Sequence, residues 1–273
     1  MDSKGVIDMA QKLPATQDER RTWLIDALLD EREEYADIAV PKTADGQRAL
    51  LRALLNVRPP QEVDARFLAV QDAYLQQRAR EKGITRLGDL SPIAAHRYVW
   101  RGDITTLAVD GIVNAANSQM LGCFAPNHGC IDNAIHTFAG IQLRLACAKI
   151  MQEQGHEERT GDAKITSGYN LPARHVLHTV GPIVGWRVTP RDQVSLASCY
   201  RSCLHLAHER GLRSLAFCCI STGEFHYPND QAARIAVDVV NTYLQETDDP
   251  MEVVFNVFKP VDDAIYRDLL EQR

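Results

Sequence analysis

The chain of 273 residues carries a formal net charge of −6, with 24% charged and 45% hydrophobic residues, the make-up of a globular protein with a sizeable core. That acidic balance argues against a nucleic-acid surface, which needs a basic stripe, but leaves room for a small anionic ligand held by backbone N–H groups. The first residues lack a signal h-region, no stretch approaches the ~18–20 apolar residues of a membrane span, and seven cysteines, an odd number with Cys218 and Cys219 adjacent, fit free thiols in a reducing, cytoplasmic setting.

Residues 17–82 read as helical throughout. In RRTWLIDALLDEREEY, Trp23, Leu24, Ala27, Leu28 and Tyr35 recur at helical spacing. RALLRALLNV repeats the pattern until Pro59-Pro60 stops it, and QEVDARFLAVQDAYLQQRAREKG closes at Gly83. No catalytic constellation stands out, so residues 1–83 are expected to form a small all-helical extension packed on the main domain.

From about residue 84 short β-rich runs alternate with helical ones. HRYVWRG, GIVNAAN, AKITSGY, HVLHTVGP, SLAFCCIS and MEVVFNVF are the strand candidates, and 132–152, 192–210, 229–246 and 261–271 have helical periodicity. Asn229 and Asp230 are the expected caps before QAARIAVDVV. Such alternation argues for an α/β domain over 84–273, a central sheet between helices, whose ligands gather at the carboxyl ends of the strands.

Three loops at those ends carry chemistry. In WRGDITTL, the Asp103 carboxylate offers an acceptor for an exocyclic amine and the following N–H, of Ile104, a donor for a ring nitrogen. The rival reading makes Asp103 a cap for a short turn starting at Ile104-Thr105. In DGIVNAANSQM, a β-branched strand delivers Asn114 and Asn117 with only alanines between; one amide is expected to be structural, Asn114, and the other, Asn117, to meet a ribose hydroxyl. In CCISTGEFHYPND, the small-residue loop Ser221-Thr222-Gly223, followed by Glu224 and Phe225, can present successive N–H groups to a diphosphate. Phe225 and Tyr227 could cover a ribose, with a core position the alternative for Tyr227.

Between NAANS and the next helix lies LGCFAPNHGCIDN. Cys123, His128 and Cys130 make a C-x4-H-x-C set; two thiolates and an imidazole suit zinc and leave one tetrahedral position open. The spacing alone is not that of a common finger, and a redox pair of Cys123 with Cys130 is the competing reading. His178 reads as a core residue, His136 and His175 as packing or surface positions, and Glu153, Glu157 and Glu158 as solvated surface. There is no G-x-S-x-G elbow, H-E-x-x-H or helix-opening G-x-G-x-x-G.

Taken in order, GDIT, VNAANS, G-D-A-x-I-T-x-G-Y-x-L-P, HTVGP and STGEFHYP resemble the macrodomain, the ADP-ribose-binding α/β fold with a central mixed β-sheet, over about 84–273. Where many macrodomain hydrolases carry a glycine-rich loop, this chain has the Cys/His segment, which is similar to the zinc-dependent macrodomains of the protein ADP-ribosyl hydrolase type. Their helical N-terminal extension is matched here as well. The resemblance implies a zinc-dependent, glycosidase-type hydrolase that removes mono-ADP-ribose from modified proteins, most simply from Asp or Glu, with a functional link to a sirtuin-type ADP-ribosyltransferase. It also implies a site: Asp103 and Ile104 on adenine; Asn117, Cys130, Ile131 and Asp132 around the distal ribose; Ser221, Thr222, Gly223, Glu224 and Phe225 around the diphosphate; Cys123, His128 and Cys130 on Zn2+; and Asn117 with Asp132 as catalytic groups. Phe258 is a stacking candidate on the adenine side. Asp132, beside a cation and a helix N-terminus, is expected to stay ionised. A non-catalytic ADP-ribose reader and an O-acetyl-ADP-ribose deacetylase are the alternatives.

Overall fold

The computed structural model describes residues 13–272. It opens with α1 (Gln17–Leu29), α2 (Ala44–Val57) and α3 (Ala65–Lys82); residues 1–12 of the expected extension lie outside the described residues. Each helix starts at a side-chain cap: Thr16 with Glu19 in a capping box, Thr43 accepting from Gly46 N, and Asp64 accepting from Phe67 N. Their apolar faces, with Leu24, Ile25, Leu54, Phe67 and Val70, close on one another as a separate small core, each such side chain contributing ~1.5–3 kcal/mol on burial. The expected helical tail DEREEY does not continue α1, which ends at Leu29; a 3-10 turn at Glu33–Tyr35 follows. Five consecutive charged residues after Leu29 offer the bundle no apolar face.

The second part is a six-stranded sheet of β2 (Arg97–Arg101), β4 (Gly111–Ala116), β5 (Ala163–Ser167), β6 (His175–Val180), β7 (Ser214–Phe217) and β8 (Glu252–Val257), all six at the predicted places. The order is β2-β8-β7-β4-β6-β5, parallel except for β5 against β6. A short parallel pair, β1 (Thr85–Arg86) with β3 (Leu107–Ala108), stands apart. Helices α4 (Ile131–Ala139), α5 (Ile141–Gln154), α6 (Pro190–Glu209), α7 (Asn229–Glu246) and α8 (Pro260–Glu271) cover the sheet. Strands shielded on both faces read as unbroken apolar runs, as in β7, buried along its whole length. Among the described residues no helix is long and apolar enough to cross a membrane.

Three expectations shift. The single helical segment 132–152 is two helices, broken at Gly140, whose φ of 95° favours glycine. Gln71 of α3 docks at this break, its Oε1 accepting from Ile141 N at 3.0 Å. The cap of α7 is Pro228, without a side-chain bond, because the Asn229 amide is turned to Asp262 instead. Glu158 is buried, not solvated: Lys164 of β5 lies 3.4 Å from its carboxylate and Gln154 donates to it at 3.1 Å.

Candidate active site

Strands β2, β8, β7 and β4 run parallel side by side, so the loops leaving the carboxyl ends of β2, β4 and β7 emerge along one edge of the sheet. On the first loop, Asp103 is the cap of a short turn, as the rival reading had it. Its Oδ1 caps the 3-10 turn Ile104–Thr106, accepting from Thr105 N at 3.0 Å and Thr105 Oγ1 at 2.6 Å. Its Oδ2 faces Lys82 Nζ of α3 at 2.6 Å. Burial works to raise this carboxyl, but the bonds from Lys82 and Thr105 outweigh it and hold it below its usual value. The Ile104 side chain is in the core, leaving its backbone N–H, which forms no hydrogen bond among the described residues, as the group that can meet a ligand.

At the end of β4, Asn114 is fully buried and its Nδ2 donates to Asp132 Oδ1 at 2.8 Å. Asn117 is less buried: its Oδ1 accepts from Gln119 N at 3.0 Å, and its Nδ2 lies 3.2 Å from Gly122 O and 3.4 Å from Asp132 Oδ2. Two amides from one strand end therefore hold the same carboxylate. Asp132 sits in the first turn of α4, as expected, but burial pushes its carboxyl up to about 6 against the opposing pull of Asn114 and Arg144. The helix start does not fully offset that desolvation; a cation nearby would pull the value back down.

Behind Asp132 lies a buried polar cluster whose grouping the sequence reading did not anticipate. His136, one turn along α4, brings Nε2 to 3.6 Å from Asp132 Oδ1, and neither ring nitrogen has a hydrogen-bond partner. His178 Nδ1 is 3.3 Å from Asn114 Nδ2, its Nε2 is 3.0 Å from Thr166 Oγ1, and Cys147 Sγ is 3.8 Å away. Burial drives the His178 imidazole down to about 3 and the Cys147 thiol up to about 12, so both are neutral. The usable signal was the i,i+4 spacing of Asp132 and His136 at a helix start.

The loop from β4 to α4 gathers the Cys/His set. The donor atoms of Cys123, His128 and Cys130 all lie within 4.8 Å of one another, and Cys123 Sγ is 3.6 Å from His128 Nδ1. Two ligands of one tetrahedral zinc, at ~2.3 Å for sulfur and ~2.05 Å for nitrogen, sit ~3.6 Å apart, so the residues fit the ion. His128 Nε2 points the other way, 3.6 Å from Glu224 Oε1, the arrangement that orients a metal-binding imidazole. Cys130 N-caps α4, its sulfur accepting from Asn133 N at 3.4 Å, and Ile131 begins the helix, partly buried. Burial, with the neighbouring Cys123, raises the Cys130 thiol, a tendency that a bound cation reverses.

The third loop turns sharply. Ser221 has φ 64° and a buried hydroxyl with no partner, and Tyr227 N donates back to Ser221 O at 2.9 Å. Thr222 Oγ1 donates to Cys219 O at 3.0 Å. The N–H groups of Gly223, Glu224 and Phe225 form no hydrogen bond among the described residues, a run of donors suited to an anion. Phe225 is partly exposed and accepts from Val184 N at 2.9 Å through its carbonyl. Tyr227 belongs to the core at 1% exposure, so only Phe225 can cover a ligand. Phe258, just past β8, is 79% exposed.

Comparison with known proteins agrees with this fold. The Macro domain family profile matches residues 113–236. A curated protein-ADP-ribose hydrolase of Treponema medium is 56% identical over 259 residues, 93% of this chain and 99% of its own length. Among solved structures, the Oceanobacillus iheyensis macrodomain with ADP is 40% identical with a TM-score of 0.59, covering 64% of this chain and 90% of that one. The Trypanosoma brucei macrodomain in complex with ADP-ribose is 33% identical with a TM-score of 0.62, covering 80% of this chain and 94% of that one. With that identity over nearly its whole length, the chain belongs to the macrodomain family.

Proposed function

We propose that this protein is a zinc-dependent protein-ADP-ribose hydrolase that removes mono-ADP-ribose from modified side chains, with aspartate or glutamate esters as its substrates. The hydrolase name of the Treponema medium relative and the ADP-ribose held by the Trypanosoma brucei macrodomain support the activity and ligand class. The observation that carries the zinc-dependent form is the Cys123–His128 approach of 3.6 Å, on a loop whose last ligand caps the helix bearing Asp132.

Residue by residue, the adenine amine would meet Asp103 and a ring nitrogen the Ile104 N–H. The N–H run of Gly223 to Phe225 would take the diphosphate without a cationic side chain, with Ser221 and Thr222 shaping the turn and Phe225 against a ribose. Asn117 would hold the distal ribose beside Asp132. Cys123, His128 and Cys130 would hold Zn2+, which supplies Lewis acidity toward a ribose or ester oxygen, or brings the pKa of a water toward ~7. Asp132, ionised at neutral pH, would orient the attacking water or accept its proton. Water is added across the bond between ribose and carboxylate, the hydroxyl ending on one fragment and the proton on the other.

Turnover of mono-ADP-ribosylated proteins modified on different residue types, with and without a zinc chelator, tests this. Loss of turnover on chelation and its return with zinc, confined to Asp/Glu-modified substrate, is the expected result. Saturable ADP-ribose binding with no release would make the protein a reader instead, and unchanged turnover after chelation would remove zinc from the reaction.

A further inference from the structure

The helical extension does more than cap the sheet domain. Arg52 of α2 sends Nη2 to His128 O at 2.9 Å and grips Asn133 Oδ1 with Nε at 3.1 Å and Nη2 at 2.7 Å. Asn133, fully buried in the first turn of α4, turns its own amide to Cys123 O at 3.4 Å and Ala125 O at 3.0 Å, and its N–H faces Cys130 Sγ at 3.4 Å. One turn along α2, Asn56 Oδ1 accepts from Asn127 N at 3.0 Å, where the chain takes a φ of 55°, and Asn56 Nδ2 donates to Thr137 Oγ1 at 2.9 Å. A grip also comes from the sheet domain: Arg144 Nε donates to Leu121 O at 2.7 Å while its Nη1 donates to Leu55 O at 3.1 Å and to Arg58 O.

Each of the three metal-binding candidates is thus held either by Arg52 or by Asn133, the residue Arg52 grips. We propose that Arg52, with Asn133 and Asn56, is a positioning group that sets the Cys/His loop in its metal-binding shape, making the helical extension a structural part of the metal site. The proposal rests on the metal reading of Cys123, His128 and Cys130. The loop between β4 and α4 has no regular secondary structure of its own, so ordering it around a cation carries a conformational cost, and the clamp holds it ordered beforehand. A guanidinium fork reaches two acceptors on different segments at once, which a lysine ammonium on a flexible stem does not reproduce.

The test uses the full chain as wild type, Arg52→Ala, Arg52→Lys and, as control, Arg48→Ala, whose guanidinium pairs with Asp45 one turn away from the clamp. Zinc affinity is read by competition with a chromogenic chelator, site geometry by the visible spectrum of the cobalt-loaded forms, and folding by the melting point of the zinc-free forms. Arg52→Ala and Arg52→Lys are expected to weaken zinc by about 10–100-fold and to alter the cobalt spectrum. Arg48→Ala stays with wild type, and the zinc-free melting points stay close together. Arg52→Lys keeps charge and stem, and decides the matter if Arg52→Ala does not fold. Zinc affinity and cobalt spectrum unchanged in a folded Arg52 variant overturn the clamp alone. A wild-type chain that takes up no zinc overturns the metal reading and the clamp with it.

Discussion

Lys82 Nζ lies 2.6 Å from Asp103 Oδ2, so the last turn of α3 reaches the loop after β2 that carries the carboxylate proposed to meet adenine. The same ammonium stands 3.4 Å from the centre of the Phe138 ring, a favourable seat for a cation. With Oδ1 taken by Thr105, the carboxylate is oriented from both sides yet keeps lone pairs for a further donor. Lys82→Met frees it to turn away. A part-exposed pair contributes ~0.5–1 kcal/mol, so ADP-ribose affinity measured by calorimetry is expected to fall ~2–5-fold. Tighter binding in the variant would show that Lys82 competes with the ligand instead of preparing its site.

Asp132 is the acceptor on which Asn114 and Asn117 converge, with His136 Nε2 3.6 Å away. Asp132→Asn preserves size and removes the charge. Turnover is expected to fall by ~10²-fold or more, the scale of a lost general base, while ADP-ribose affinity shifts by less than ~10-fold because the contacts proposed for adenine and diphosphate are untouched. Since burial of the carboxylate is itself unfavourable, the variant should melt no lower than the wild type. Wild-type turnover in Asp132→Asn would remove this residue from the chemistry.

The sheet and the loops at its strand ends were legible because their signals are local: β-branched runs end at small or polar residues, and each loop follows its strand directly. The Cys/His set was legible for the same reason, with three donors inside eight positions. Arg52, Asn56 and Lys82 were not, because each acts on a loop 21 to 76 residues away and looks, in sequence, like an ordinary polar face of a helix. Glu158 misled in the opposite direction: its neighbours are charged and solvated, but its partner Lys164 arrives from a strand. Gly140 breaks the segment 132–152 that was read as one helix, because a single glycine within a periodic apolar pattern does not by itself announce a stop; Gln71 of the extension caps the helix restarting there.

His178 makes stability depend on acid. Burial alone pushes its imidazole down to about 3, against ~6.5 in an unfolded chain. Below ~6.5 the unfolded chain takes up a proton that the folded one refuses, so the contribution is fully present above that pH and is lost as pH falls toward about 3. The slope is at most ~1.4 kcal/mol per pH unit for one proton. Its neighbour Cys147 stays neutral across this range, and His136, also driven down by burial, adds the same sign. In His178→Gln, urea unfolding between pH ~7.5 and ~5 should lose about one proton's worth of this slope. The comparison of the two proteins cancels what His136 and Asp132 contribute. An identical slope would place the imidazole in water.

Gly181, just past β6, sets how closely the Ser221–Phe225 turn, the proposed diphosphate loop, can approach. A Cβ there would overlap Ser221 Oγ and lie 2.9 Å from Ile220 Cγ2. Ser221 has little freedom to yield: its hydroxyl is buried, its φ is 64°, and its carbonyl is tied to Tyr227 N at 2.9 Å. Gly181→Ala must therefore push the Ser221–Phe225 turn outward, at ~1–3 kcal/mol for an overpacked site. The displaced turn carries the three free N–H groups, so the cost falls on ligand binding as well as on folding. ADP-ribose affinity is expected to drop at least ~5-fold, together with a lower melting point. Gly185→Ala, on the same connection to α6 but with open space around the added methyl, is the control and should bind like the wild type. Equal affinities in the two variants would mean that the turn at Ser221 does not contact the ligand.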